Sequence, residues 1–467
     1  MHKNPGFNKR IAVIAGACLL AFGAPAAAQD FLLTSASTAV LQKPLNRGER
    51  QAILAALAQA PSHGLPVYPV DEESSDTDLS RAIIDYAGAL HGARMTAKFP
   101  SDWHLHPDPF DAAGSFQQAV QHNKLKRWLS SLAPRAESYE NLRAALARYR
   151  EIEMNGGWQA LDPGPTLKVG SKGPRVVALR ERLNAEYQGP APEGDPATFD
   201  PSLSEYLKTE QARLGLPETG ALDKATLAAL NVPVGDRIDT LVANLERERW
   251  LPGKMPDYRI EVNLPAFWLD VWRNGDRPLS MKIIDGRPHD PTPMFSDVMD
   301  AVVLNPPWNV PDNIARNEIW PKAKKDKAYL ARNDYVVTSD GGLMQKAGPK
   351  SALGKIKFDL TNPFAIYLHD TPSRSLFQKD MRAFSHGCMR VEKPRDLAGL
   401  ILADDRHYTP EVIDETIASG DTVRVDIARP VPVFVLYRTA FLGDDGRVQF
   451  RNDLYGWDAK LNDILTR

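Results

Sequence analysis

Cysteine is nearly absent: the 467-residue chain has two, Cys18 and Cys388. That leaves no room for a disulfide framework, and the chain also lacks the CxxC and HExxH spacings of common zinc sites. Neither sign of charge is in excess, with 57 Lys and Arg against 59 Asp and Glu, a formal net charge of -2 and a charged fraction of 25%. Such a balance argues against a general nucleic-acid binder and leaves only local polyanion contacts. Beyond the first 28 residues no apolar run approaches the roughly 18 residues of a membrane span.

The start of the chain has the pattern of a secretory leader over residues 1–28. Lys3, Lys9 and Arg10 make a basic beginning, residues 11–22 are apolar, and Ala26-Ala27-Ala28 supplies small residues before a cut near Gln29. Cys18 would leave with it. A lipid anchor on Cys18 is the weaker reading, because Ala15-Gly16-Ala17 lacks the large aliphatic residue such a site prefers. The expected mature chain is exported to the periplasm, has no transmembrane helix, and keeps a single thiol. In an oxidising compartment a lone thiol is either shielded or used.

The rest of the chain reads as a multidomain α+β protein. Over residues 30–165 apolar positions recur at helical spacing, as in Leu79, Ile83, Tyr86 and Leu90 and again in Tyr139, Leu142, Leu146, Tyr149 and Ile152, with Gly156-Gly157 as a stop. This predicts a helical N-terminal scaffold. His104 and His106, in WHLHP, have no nearby carboxylate or cysteine companion, and no chemistry is assigned to them. Residues 166–233 predict a three-helix module with Val176, Leu179 and Leu183 on one face, then Leu203, Tyr206, Leu207 and Leu214, then Leu222, Leu227 and Leu230. A polar amphipathic linker helix is expected within 237–258.

From residue 259 to 438 the period changes to two. Ile260, Val262 and Leu264 alternate, then Leu269 and Val271, and VVL, YVV, AIYL and TVRVDI are short β-branched runs. This half is expected to be β-rich, followed by a C-terminal extension over 439–467. The segment NPPWNVPDNIARNEIWPKAKKDKAYL, about 305–330, interrupts the strands and has the length of a lid or binding loop. Its lysines Lys322, Lys324, Lys325 and Lys327 read as a solvated helix face.

Cys388 lies in SHGCMR, with His386 two positions before it and His369, in YLHDTP, 19 positions before it. A cysteine attacks as thiolate, so it needs a base or a positive environment, and donors for the oxyanion it creates. Gly387, lacking a side chain, would let substrate approach the main chain, where the Gly387 and Cys388 N–H groups are candidate oxyanion donors. Spacing alone leaves the choice between His369 and His386 open.

Two resemblances narrow it. GSKGPRVVALRERL, TFD and QARLGLPETGALDKATLAALN resemble the peptidoglycan-binding domain, over about 65 residues. YLHDTP followed by SHGCMR is similar to the signature of the L,D-transpeptidase (YkuD-type) catalytic domain. NLPAF, MKIIDGRP, TPMFSD and NPPWNVP resemble its large, lid-bearing branch, which also carries a peptidoglycan-binding module. The resemblance implies that Cys388 is the nucleophile and His369 the base, with its ring oriented by the main-chain carbonyl of Asp370. It further implies that Ser385, His386 and Gly387 shape the loop and oxyanion site, and that Arg390, Tyr367 and Trp308 meet substrate.

The implied reaction is acyl transfer on peptidoglycan stem peptides: a thioester forms from a tetrapeptide stem with release of D-alanine and passes to an amine, linking two third residues. Water, or an amine on an outer-membrane or cell-wall protein, are alternative acceptors. A carbapenem is an expected inhibitor, and neither metal nor organic cofactor is implied. A zinc peptidase would need Cys388, His369 and His386 as ligands with His289 or His407 as a fourth, at spacings unlike the usual ones. An inert wall-binding relative would be expected to lack the cysteine or histidine, and both are present.

Overall fold

The computed structural model describes residues 43–95 and 99–466. The expected leader, its cleavage site and Cys18 lie outside the described residues. Among the described residues, no helix is long and apolar enough to cross a membrane.

Among the described residues, nine α-helices precede the strands: α1 (Arg47–Leu57), α2 (Asp76–Leu90), α3 (Ala112–Gln121), α4 (Leu125–Leu129), α5 (Glu137–Met154), α6 (Pro174–Glu186), α7 (Pro201–Arg213), α8 (Lys224–Leu230) and α9 (Val234–Glu248). Their starts are written in the sequence. Asn46 and Glu49 make a reciprocal capping box on α1, Ser75 caps α2, and Asp200 and Asp223 cap α7 and α8. The apolar stripes bury as their spacing requires, with Leu79, Ile83, Tyr86 and Leu90 in one core and Val176, Leu179, Leu183, Leu203 and Leu207 in another.

Two helices depart from expectation. Helix α5 contributes Tyr139, Leu142, Leu146 and Tyr149 to the core of α6 to α8 and does not join the core of α1 to α4. Helix α9, expected as a polar amphipathic linker, is a buried strut: Asn244, Glu246, Arg247, Glu248 and Arg249 are all at most 6% exposed. Each of these polar groups has a partner. Asn244 bonds Thr439, Glu246 bonds Arg249 and Trp250, Arg247 meets Asp458 at 2.6 Å, and Glu248 takes Arg438 at 2.7 Å. Buried charges persist only when paired in this way, and the pairing partners come from residues far away in sequence.

The strands are β1 (Tyr258–Asn263), β2 (Trp268–Arg273), β3 (Asp276–Gly286), β4 (Phe295–Leu304), β5 (Trp308–Val310), β6 (Tyr335–Val337), β7 (Leu343–Gln345), β8 (Ile356–Leu360), β9 (Leu368–His369), β10 (Ala383–Ser385), β11 (Met389–Val391), β12 (Val423–Leu436), β13 (Ala440–Leu442) and β14 (Val448–Phe450). Nine form one sheet in the order β10-β3-β11-β9-β8-β4-β12-β1-β2, and pairing of β2 with β3 closes eight of them into a ring. Ile260, Val262, Leu269, Val271, Met281, Val302, Phe358, Leu368, Met389 and Val433 fill it. Trp103, from the N-terminal region, reaches this core at 1% exposure, and the Met294 carbonyl accepts from the His104 N–H at 2.7 Å.

The insertion after β4 is larger than the expected 305–330. Strands β5, β7 and β6 make a separate three-stranded sheet, so the insertion runs past residue 345 and has its own small core of Val310, Ile314, Ala315, Ile319 and Leu343. YVV, expected among the strands of the main sheet, is β6 of this unit. Its neck is tied where the Asn305 N–H donates to the Lys355 carbonyl at 2.8 Å. The C-terminal extension is structural: β13 and β14 close the core of α5 to α9, while the helix Trp457–Thr466 sends Trp457 and Leu461 into the barrel core.

Candidate active site

Parallel pairing of β11 with β9 sets Met389 opposite Leu368 and Arg390 opposite His369, so Cys388 comes beside Tyr367 and the chain's 19-residue excursion returns the cysteine to the histidine strand. The Met389 N–H donates to the Tyr367 carbonyl at 3.1 Å, fixing that register. Cys388 is half-buried, with Sγ 3.7 Å from the Ala365 carbonyl, and Ala365 holds the left-handed conformation at φ 55°. A non-glycine residue there is strained by roughly 1–2 kcal/mol, a cost typical of functional positions.

His369 is 5% exposed, and its Nδ1 lies 2.5 Å from the Asp370 carbonyl oxygen. A carbonyl only accepts, so Nδ1 carries the hydrogen and the Nε2 lone pair is free. The Asp370 side chain anchors this carbonyl: Oδ2 accepts from the Lys355 N–H at 2.8 Å and Oδ1 meets Arg374 at 3.2 Å. Gly354 makes the anchoring space. At φ +63° it is left-handed, and a Cβ there would fall 2.3 Å from Asp370 Oδ2.

Burial, with the Arg390 and Lys357 cations, pulls the His369 imidazole down to about 3 against the raising effect of the Asp370 carbonyl. Burial pushes the Cys388 thiol up, opposed by Tyr367, Lys357 and Arg390. Both directions favour the neutral thiol and the neutral imidazole. Tyr367 is raised by burial and by Cys388; its ring stands 5.7 Å from His369 and under Lys357 Nζ at 4.4 Å. Trp308, on β5 of the insertion, donates to the Tyr367 hydroxyl and opposes that rise. Burial lowers Arg390, and its Nε has no hydrogen-bond partner among the described residues.

The cysteine loop departs from expectation at one point. The Gly387 N–H donates to Ser385 Oγ at 3.0 Å, so this N–H is taken and Gly387 does not serve as an oxyanion donor. The left-handed turn at Gly387, φ +112°, still needs glycine: a Cβ would press on Ile366 at 3.1 Å. The Gly387 carbonyl accepts from Thr292 Oγ1 at 2.8 Å, and Tyr455 supports Thr292 from behind. His386 faces the insertion, its Nε2 2.6 Å from Glu318 Oε1.

Sequence reasoning missed Lys357, Thr292, Gly354, Ala365 and Glu318. Thr292 sits within TPMFSD, a segment already singled out, and Glu318 is the acidic residue of NEIWPKAKK; the others carry no local signal because their roles come from register. His104 stacks on Phe364 at 4.0 Å, a packing role. Among the described residues, no three His, Cys, Asp or Glu side chains gather for a metal.

Residues 257–425 match the L,D-transpeptidase catalytic domain, residues 43–146 the Scaffold domain, and residues 172–230 the family described as "Putative peptidoglycan binding domain". A Haemophilus influenzae protein described as "Putative L,D-transpeptidase" is 33% identical over 243 residues, which is 48% of this chain and 48% of that protein. The match thus spans about half the length of this curated relative. Among solved structures, the catalytic domain of the E. faecium L,D-transpeptidase acylated by ertapenem is 16% identical, with 39% of this chain and 99% of that one covered and a TM-score of 0.21. An L,D-transpeptidase from Mycobacterium smegmatis is 14% identical, covering 38% of this chain and 58% of that one, also at 0.21. At that TM-score neither likeness adds to the reading of this chain. The helical N-terminal region, the large β domain and the matched segments agree: the chain carries a YkuD-type L,D-transpeptidase catalytic domain together with a peptidoglycan-binding domain.

Proposed function

We propose that the chain is a cysteine-dependent L,D-transpeptidase acting outside the cytoplasm on peptidoglycan stems. The observation that carries this is the register that brings Cys388 to the strand of His369, whose imidazole is held in the Nε2-basic tautomer by the Asp370 carbonyl. Nε2 of His369 takes the thiol proton as sulfur attacks the carbonyl of the third stem residue. The Cys388 N–H faces the oxyanion, and Arg390 and Lys357 add positive charge where negative charge develops. D-alanine leaves with the proton from His369, and a thioester remains.

A side-chain amine of a second stem then opens the thioester and joins two third residues. The insertion around β5 to β7 is the lid that keeps water from the thioester, and Tyr367 and Trp308 line the donor side beneath it. Ser385 shapes the cysteine loop by holding the Gly387 N–H. The peptidoglycan-binding module addresses the enzyme to the wall. Mass spectrometry of the products from purified tetrapeptide muropeptides tests this reading. A cross-link between third residues with stoichiometric D-alanine is expected, whereas release of D-alanine with only shortened stems would make the enzyme a hydrolase.

A further inference from the structure

The Glu318–His386 pair joins the lid to the cysteine loop. Along residues 385–391 burial alternates: Ser385, Gly387, Met389 and Val391 are buried, whereas His386, Cys388 and Arg390 are half-exposed. His386 lies in the turn between β10 and β11, two residues before the nucleophile, and its ring reaches the lid. There its Nε2 meets Glu318 Oε1 at 2.6 Å. The carboxylate accepts, so Nε2 carries the hydrogen and Nδ1 presents a free lone pair, the opposite tautomer from His369. Glu318 comes from a π-helical turn, Ala315–Ile319, wedged between the turn Asp312–Ile314 and the helix Trp320–Lys325. Such turns re-aim a side chain and are frequent at functional sites.

The charges near the sulfur explain what this pair could do. Lys357 and Arg390 act on Cys388 as cations, which suits an oxyanion but repels an ammonium. An acceptor amine reaches the site as an ammonium and cannot attack until it loses a proton. Glu318 supplies negative charge on the lid side of the cysteine loop.

We propose that His386, aligned by Glu318, is the base that deprotonates the acceptor ammonium in the second half-reaction. This rests on the acyl transfer proposed above. Nδ1 of His386 takes one proton from the ammonium; the freed amine nitrogen attacks the thioester carbon, the C–N bond forms and the C–S bond breaks. The second nitrogen proton passes through His369 to the departing sulfur, restoring the thiol, and His386 returns its proton to water. Glu318 is a positioning residue in this step. Because it belongs to the lid, the base is complete only when the lid lies on the cysteine loop.

The test uses the full chain, a tetrapeptide donor, and two acceptors at neutral pH: the ammonium side chain of a second tetrapeptide, and methoxyamine, which is uncharged there. Glu318→Gln and His386→Gln are each expected to slow amide formation with the ammonium acceptor by at least about tenfold while staying within about twofold of the wild type with methoxyamine. The single-turnover burst of D-alanine should persist in Glu318→Gln, and the His386→Gln rates are taken relative to that variant's own burst because His386 also shapes the cysteine loop. Equal loss on both acceptors, or no loss on the ammonium acceptor, overturns the inference and leaves the acyl-transfer reading standing. A wild-type chain that releases no D-alanine overturns both.

Discussion

Burial lowers the His369 imidazole and raises the Cys388 thiol, so both favour their neutral forms. His369→Ala should therefore slow thioester formation by roughly 10²- to 10⁴-fold, the usual worth of a general base, in a single-turnover assay of D-alanine release. His386→Ala should leave that step far less affected. Gly354→Ala tests how the base is held: a left-handed alanine costs about 1–2 kcal/mol, and its Cβ would also displace the Asp370 carboxylate 2.3 Å away. Lower thermal stability together with slower acylation is expected, and an unchanged acylation rate would detach Asp370 from the base. SHGC and YLHDTP singled out Cys388 and His369, and the register brings their strands together. Lys357 and Thr292 were not, because a cross-strand neighbour such as the pair Lys357 and His369 follows from register, which no short motif encodes.

The elements show the same division. Apolar periodicity located α6 to α8, since that signal is local. Helix α9, expected as a polar amphipathic linker, is buried on its polar residues too, and the fold supplies Thr439, Asp458 and Arg438 as partners. The lid's length was underread for a related reason: β6 and β7 resemble any short strand until their pairing is known. Buried pairing gives a stability prediction at this scale. Glu186, 3% exposed, is held down to about 2 because Arg213 and Arg182 outweigh its burial. Glu186→Gln leaves the buried Arg182 guanidinium without its carboxylate, while Arg213 keeps Glu210, and should cost about 3–5 kcal/mol by chemical denaturation. A loss within experimental error would show that Arg182 finds another partner.

The barrel core and the core of α5 to α9 draw on segments distant in sequence, Trp103 of the N-terminal region among them, whereas α1 to α4 keep a core of their own. Trp103→Ala, at a site 1% exposed within the barrel core, should destabilise by about 3–5 kcal/mol and lower the catalytic domain's own unfolding transition. Acid should also act on the whole. His63 and His369 are each pulled from 6.5 to about 3, His63 by burial with Arg143 and Arg249 and His369 by burial with Arg390 and Lys357. The unfolded chain therefore binds protons that the folded chain refuses. Stability should fall as pH drops from 6.5 toward 3, and Glu186 adds its loss only as pH falls from its unfolded value toward about 2. A melting temperature that stays flat or rises between pH 6.5 and 4 would contradict those histidine environments. The central claim, that Cys388 carries the acyl group, is tested most directly by the intact mass of the protein quenched in acid during turnover of a tetrapeptide donor without acceptor. The account predicts a mass increase equal to the donor less D-alanine, located on Cys388 and absent in Cys388→Ser. D-alanine release with no such adduct, or an adduct that survives in Cys388→Ser, would contradict it.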